Sequence, residues 1–260
     1  MVGTNLWDGH KTDWIMTELS YQSSPYVIRE DLVAAHERAW DRLARAGTWL
    51  DGATRVAIAA ETRHARGCIL CTQQKAALSP FAIKGHHDTL GELSDERVKF
   101  IHRVVADPGR LTRNWSEQLR AADVADTDYV EIVSIVAHVT AIDIFGRALG
   151  LAEQPLPEPR EGAPSHYLPA EARQGEAWLP NIAWDEAGPN EKDFCHGRES
   201  NIRKALTLVP DEARSFFDLV SHQYLPGDTM REFSKKIRAI TRAQIELLAG
   251  RVSAINQCTY

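Results

Sequence analysis

Cysteine is scarce in this chain, and the scarcity is informative. Only four occur in 260 residues, at positions 68, 71, 195 and 258. That is too few to staple a secreted domain of this length, so redox use is a better account than a disulfide scaffold. A second CxxC or a CxxH pair is also missing, which leaves the usual four-ligand set of a structural zinc site incomplete; the chain is read as having neither metal nor other cofactor. Nor do basic residues dominate: 30 stand against 36 acidic ones, a formal charge of -6, which disfavours an unselective grip on phosphate backbones and sets nucleic acid aside as a partner. The opening MVGTNLWDGHKTDW lacks the basic segment and apolar core of a signal peptide. No later apolar run is read as approaching the roughly 20 residues that cross a bilayer. A soluble, cytoplasmic protein with no membrane partner is expected.

What the chain does contain is helical periodicity. With 43% hydrophobic and 8% aromatic residues it can build one large or two small cores. From Tyr26, apolar residues return every three or four places through Leu32, Ala35, Trp40 and Leu43. After Gly47 and Gly52, with Asp51 as a cap, a second periodic segment runs from about Thr54 through Ala77 and stops at Ser79-Pro80. Ser94 is a candidate N-cap before Val98, Ile101, Val104 and Val105, and Asp107-Pro108-Gly109 ends that helix. The most apolar segment follows, from Asp126 to a stop at Gly150. Prolines then crowd residues 152–190, and helix signals resume after Pro210 and from Ile237 to Ile255. No strand-rich stretch stands out, so an all-α fold is predicted. The organisation read from this pattern is a helical domain over 1–151 carrying the CxxC, a proline-rich crossover over 152–190 anchored by Trp178 and Trp184, and a helical region over 191–260. Residues 54–68 align with 244–258 when Cys68 is placed over Cys258, so the last region reads as an incomplete second copy.

Cys68-Ile-Leu-Cys71 carries the chemistry, because two thiols this close can trade between dithiol and disulfide. On one continuous helix Glu61, His64, Cys68 and Cys71 form a stripe with offsets of three, four and three. His64 can then exchange a proton with Cys68 while Glu61 orients His64. A thiolate so formed attacks a peroxide to give a sulfenic acid, which the other thiol resolves as a disulfide. The spacing does not say which cysteine attacks. His138, alone in the apolar helix and five residues before Asp143, is a further candidate site residue. His86-His87 reads as incidental, since adjacent side chains in a polar loop point apart, and Cys195-His196 reads as a buried or incidental pair for the same reason.

TRVAIAAETRHARGCILCTQQKAAL at 54–78, YVEIVSIVAHVTAIDIFGRALGL at 129–151 and ITRAQIELLAGRVSAINQCTY at 240–260 resemble the alkylhydroperoxidase D-like superfamily, which also contains carboxymuconolactone decarboxylase. The resemblance implies an alkylhydroperoxidase D-like helical bundle, a duplicated or oligomer-completed core, and hence a homo-oligomer. It also implies reduction of a hydroperoxide substrate with electrons from an external thiol reductant. In the family pattern the second cysteine, here Cys71, meets the peroxide. A glutamate about twelve residues before the first cysteine and a histidine four after the second assist. Those places hold Val56 and Lys75, so the usual relay is absent from its usual positions, and Glu61 and His64 are expected to substitute. Glu246 stands twelve before Cys258, but Cys258-Thr259-Tyr260 stops inside the motif, as a degenerate copy or an interrupted frame would. A lyase or decarboxylase acting on a small acid, and a redox-sensing helical protein without turnover, are the competing expectations.

Overall fold

Every regular element among the described residues is helical, in agreement with the all-α pattern. The computed structural model describes residues 19–256 and 258, apart from 123, 198, 227, 228, 230 and 231. The opening segment read for a leader, and Thr259 and Tyr260 of the incomplete motif, lie outside the described residues. In chain order the helices are α1 (Glu30–Ala44), α2 (Gly52–Ala65), α3 (Ile69–Ala76), α4 (Asp95–Ala106), α5 (Arg113–Ala121), α6 (Asp126–Ala148), α7 (Asn201–Lys204), α8 (Pro210–Gln223) and α9 (Arg242–Ile255). The only ladder contact described is a single bridge between Arg173 and Asn181.

Local chemistry sets the boundaries. Asp51 caps α2 by accepting from the Thr54 N–H at 2.7 Å, and Ser94 caps α4 by accepting from the Arg97 N–H at 3.5 Å, so one orphan donor at each start finds an oxygen where the sequence placed it. One boundary departs from expectation. The segment 54–77 is not one helix: α2 stops at Ala65, Arg66 and Gly67 turn, and Cys68 is the N-cap of α3 with extended backbone at φ -67° and ψ 122°. The Cys68 N–H still reaches the Ala65 carbonyl at 3.2 Å, which keeps the turn tight. Because the axis changes here, the stripe through Glu61, His64, Cys68 and Cys71 does not exist.

α6 lies at the centre, in contact with α1, α2, α4 and α8. Its Ile132, Ile135, Val136 and Val139 join Ile58 and Ala59 of α2, Phe100 and Ile101 of α4 and Trp115 of α5 in the main core. By length and composition this 23-residue helix could cross a bilayer, contrary to the sequence reading, but 61% of its apolar window is buried in the bundle. Burial against four helices accounts for its apolarity without a membrane.

A buried ionic hub fixes the corner where α1, α2, α6 and α8 meet. Glu212 accepts from Arg42 at 2.7 Å, from Arg55 at 2.8 Å and from the Ser134 hydroxyl at 2.6 Å. Glu131 accepts from the N–H groups of Thr48 and Leu50 at 2.6 and 2.8 Å and from Arg55 at 3.2 Å. Burial alone would raise the Glu212 carboxyl, but Arg55 and Arg42 outweigh it and hold the group far below the usual carboxylate range. Gly47 is required here, since a Cβ would run into the Glu131 carboxylate and the Arg55 guanidinium.

The proline-rich crossover packs on this corner: the Pro155 carbonyl accepts from the Trp40 indole at 2.8 Å, and the Arg160 and His166 N–H groups reach Ala44 and Thr48 at 2.8 Å each. Trp184 donates to the His196 carbonyl at 3.1 Å and packs on a second apolar cluster around Ile182, Phe194 and Val209. α9 differs from α2, the helix it aligns with in sequence. Only Ile245 of α9 is buried, whereas α2 buries seven residues.

Candidate redox and metal-ligating site

The two cysteines meet partners that no local spacing supplies. Cys71, on the first turn of α3, faces His102 of α4, with Nδ1 3.3 Å from Sγ. The far nitrogen of the same ring, Nε2, lies 2.7 Å from Glu61 Oε1 of α2. Carboxylate, imidazole and thiol thus form one chain running through three helices. Its direction follows from donor capacity. An ionised Glu61 can only accept, so Nε2 carries the proton and Nδ1 is left to accept from the Cys71 thiol. Glu61 Oε2 is occupied as well, accepting from the Thr89 hydroxyl and the Leu90 N–H at 3.1 Å each, which ties the 83–94 loop to the same carboxylate.

That loop delivers the fourth member. His87 Nδ1 lies 3.6 Å from Cys68 Sγ and 3.5 Å from Cys71 Sγ, and its ring centroid is 4.4 Å from that of His102. The four candidate ligand atoms of Cys68, Cys71, His87 and His102 all fall within 4.8 Å of one another. Cys68 and Cys71 are 2% and 4% exposed, and both line a cleft of about 790 Å³ that Thr140, Ile144 and Leu151 also line. Arg63 and Arg66 on its rim are engaged by Asp143, at 2.7 and 2.8 Å. Lys75 and Arg147 line the same cleft with no carboxylate partner among the described residues.

Electrostatics at rest favour neutral groups. Burial, then the hydrogen bond and proximity of Cys68, push the Cys71 thiol up to about 12. Burial, with His102 and Lys99 nearby, pushes His87 down to about 4. A thiolate at Cys71 therefore needs the base to take its proton as it reacts, or a cation to replace that proton.

The residues singled out from the sequence separate into two groups. Cys68 and Cys71 lie side by side, and Glu61 reaches Cys71 through His102 and not along a stripe on one helix. His64, in the last turn of α2, does not join them and pairs instead with Asp88 at 3.2 Å. His138 is buried in α6, where Nδ1 donates to the Ser134 carbonyl at 2.7 Å and Nε2 accepts from the Ser215 hydroxyl at 3.0 Å. It belongs to the ionic hub around Glu212, not to the thiols. Cys195 is a buried apolar filler beside Phe194 and Val209, and burial pushes its thiol up to about 11. Cys258 is exposed beyond α9.

Sequence reasoning missed two residues. His102 had a signal, an imidazole set in the apolar face of α4 between Val98, Ile101 and Val105. His87, read as incidental, had none, since a loop residue is placed only by the tertiary fold. The argument against a metal fails for the same reason, because the missing pair of ligands arrives from α4 and the 83–94 loop.

Comparison with family models, with curated proteins and with solved structures returns no match to this chain. The reading of the site therefore rests on its own geometry.

Proposed function

We propose that the protein is a thiol-dependent peroxidase or disulfide oxidoreductase working through Cys68 and Cys71, with an alkylhydroperoxidase D-like bundle as its fold. The observation that carries this reading is the Glu61–His102–Cys71 hydrogen-bond chain. A buried thiol has a base on one side and an orienting carboxylate behind that base, which is the arrangement of an activated nucleophile. His102 stands where the resemblance asks for its histidine in chemical terms, though it comes from α4 and not from position 75.

The proposed reaction begins as a hydroperoxide enters the cleft. His102 Nδ1 takes the Cys71 proton while Sγ attacks the terminal peroxide oxygen. The S–O bond forms, the O–O bond breaks, and the leaving alkoxide recovers the proton from His102 as an alcohol. Cys71 is then a sulfenic acid. Cys68 attacks its sulfur, hydroxide departs as water with the Cys68 proton, and a Cys68–Cys71 disulfide remains. A cytoplasmic dithiol returns two electrons and two protons. His87, in contact with both sulfurs, is placed to carry the proton in the resolving step.

Peroxide turnover under excess dithiol tests the reading. Consumption should need both cysteines and fall steeply in His102→Gln; wild-type rates no faster than those of a free thiol would reject it. A lyase acting on a small carboxylic acid is the second reading, favoured by the uncommitted cations Lys75 and Arg147 in the same cleft. It predicts an activity that survives Cys68→Ser.

A further inference from the structure

We propose that Cys68, Cys71, His87 and His102 also form a closed, four-coordinate site for Zn²⁺. A tetrahedral zinc ion with Zn–S near 2.3 Å and Zn–N near 2.0–2.1 Å separates a sulfur from a nitrogen ligand by about 3.6 Å. Three of the six ligand–ligand edges are sulfur–nitrogen pairs at 3.6, 3.5 and 3.3 Å, close to that value, and all four ligand atoms lie within 4.8 Å of one another.

Ligand chemistry selects the ion. Two thiolates and two imidazoles form a soft, borderline set that suits zinc and gives calcium or magnesium none of the oxygen ligands they need. The two thiolates balance the charge of the ion, and their protons leave to solvent on binding. Both histidines present Nδ1 to the sulfurs. The outward nitrogen of His102 is held by Glu61 at 2.7 Å, the carboxylate–histidine arrangement that fixes tautomer and ring orientation behind a metal. Glu61 in turn holds Thr89 and Leu90, two and three residues past His87, so the loop bringing the fourth ligand is anchored by the same carboxylate.

Four protein ligands leave no open position, which makes the ion structural or protective and not a Lewis-acid catalyst. It would pin the 83–94 loop to α3 and α4. It would also occupy the sulfur lone pairs and His102 Nδ1, so the metal-bound form is silent toward peroxide, and a disulfide excludes the metal. The site does not depend on the peroxidase reading: a chain that binds zinc and never turns over peroxide would keep it.

The experiment is a cobalt titration of the full chain, reduced and stripped with a chelator that is then removed, with Zn²⁺ added last as competitor. The expected result is one Co²⁺ per chain, with intense tetrahedral d–d bands and a thiolate charge-transfer band that Zn²⁺ abolishes. His87→Ala and Cys68→Ser should lose that spectrum while keeping helical circular dichroism, and Glu61→Gln should weaken binding about 10–100-fold. His87→Cys guards against a folding defect, because a third thiolate should restore tetrahedral binding with a stronger charge-transfer band. A weak octahedral spectrum without charge transfer, or an unchanged spectrum in His87→Ala, overturns the site. Peroxide consumption by the stripped wild type, measured alongside with chelator present, reports on the peroxidase reading separately.

Discussion

His102 and Glu61 meet at 2.7 Å in a place where neither side chain is more than 1% exposed. A carboxylate and an imidazole taken this far from water need a reason to be there, since an apolar pair of similar volume would cost less to bury. The third member of the chain is Cys71, whose sulfur lies 3.3 Å from the other ring nitrogen. In the proposed reaction the pair serves as the base for a thiol that burial keeps protonated.

Glu61→Gln keeps the shape of that side chain and removes its charge. Loss of Cys71 to peroxide at neutral pH should slow by about 100-fold or more, the range of a positioned base. At strongly alkaline pH, where hydroxide removes the thiol proton, the defect should shrink. A purely structural role for Glu61 would give a deficit that does not change with pH, and stopped-flow rates across pH decide between them.

His64 was the base expected from the sequence, but its imidazole pairs with Asp88. His64→Ala should therefore change the rate of thiol loss by less than about threefold, with stability within about 1 kcal/mol of wild type, as for a half-buried ion pair. A loss comparable to that of His102→Gln would restore His64 to the site.

Glu212 joins α8 to α1, α2 and α6 through Arg42, Arg55 and Ser134. Glu212→Gln takes the carboxylate from Arg42 and leaves Arg55, only 3% exposed, with Glu131 alone as its counter-charge, and should destabilise the fold by about 3–5 kcal/mol. Denaturant unfolding measures this directly.

His36 makes stability depend on pH away from the site. It is buried between Tyr21, Phe145 and Gln223, and burial pushes it down to about 4. In the unfolded chain it titrates near its ordinary 6.5, so between these values the unfolded state binds the extra proton. Its contribution is complete above about pH 6.5 and falls as pH drops toward 4, by about 3 kcal/mol in total. Unfolding free energies at several pH values should show this slope flattened in His36→Gln.

Much of the fold was legible because helix signals are local. Asp51 and Ser94 cap where their spacing placed them, and α6 follows directly from its run of apolar residues. α5 escaped notice because Arg113–Ala121 is short and mostly polar, showing little beyond Trp115 and Leu119 to the core. The site was half legible. Cys68 and Cys71 are set by a two-residue spacing, and Glu61 by position on α2, but the partner of Glu61 is chosen by how α4 packs across α2. The turn at Arg66-Gly67 makes a junction between two helices where the sequence reads as one stripe, and the imidazole beside Cys71 is that of His102. His87 depends on a loop whose course is fixed by Glu61 itself. Pairings of that kind arise from packing and leave no period in the sequence.

The central claim is that Cys71, served by His102 and Glu61, attacks a peroxide and that Cys68 resolves it. The most direct test is stopped-flow thiol loss in the reduced, chelator-treated protein with hydrogen peroxide and with a bulky organic hydroperoxide, comparing wild type, Cys68→Ser, Cys71→Ser and His102→Gln. The account predicts fast loss in wild type and a trapped sulfenic acid on Cys71 in Cys68→Ser. Cys71→Ser and His102→Gln should react near the rate of a free thiol. Free-thiol rates in wild type, or fast reaction persisting in Cys71→Ser, would contradict it.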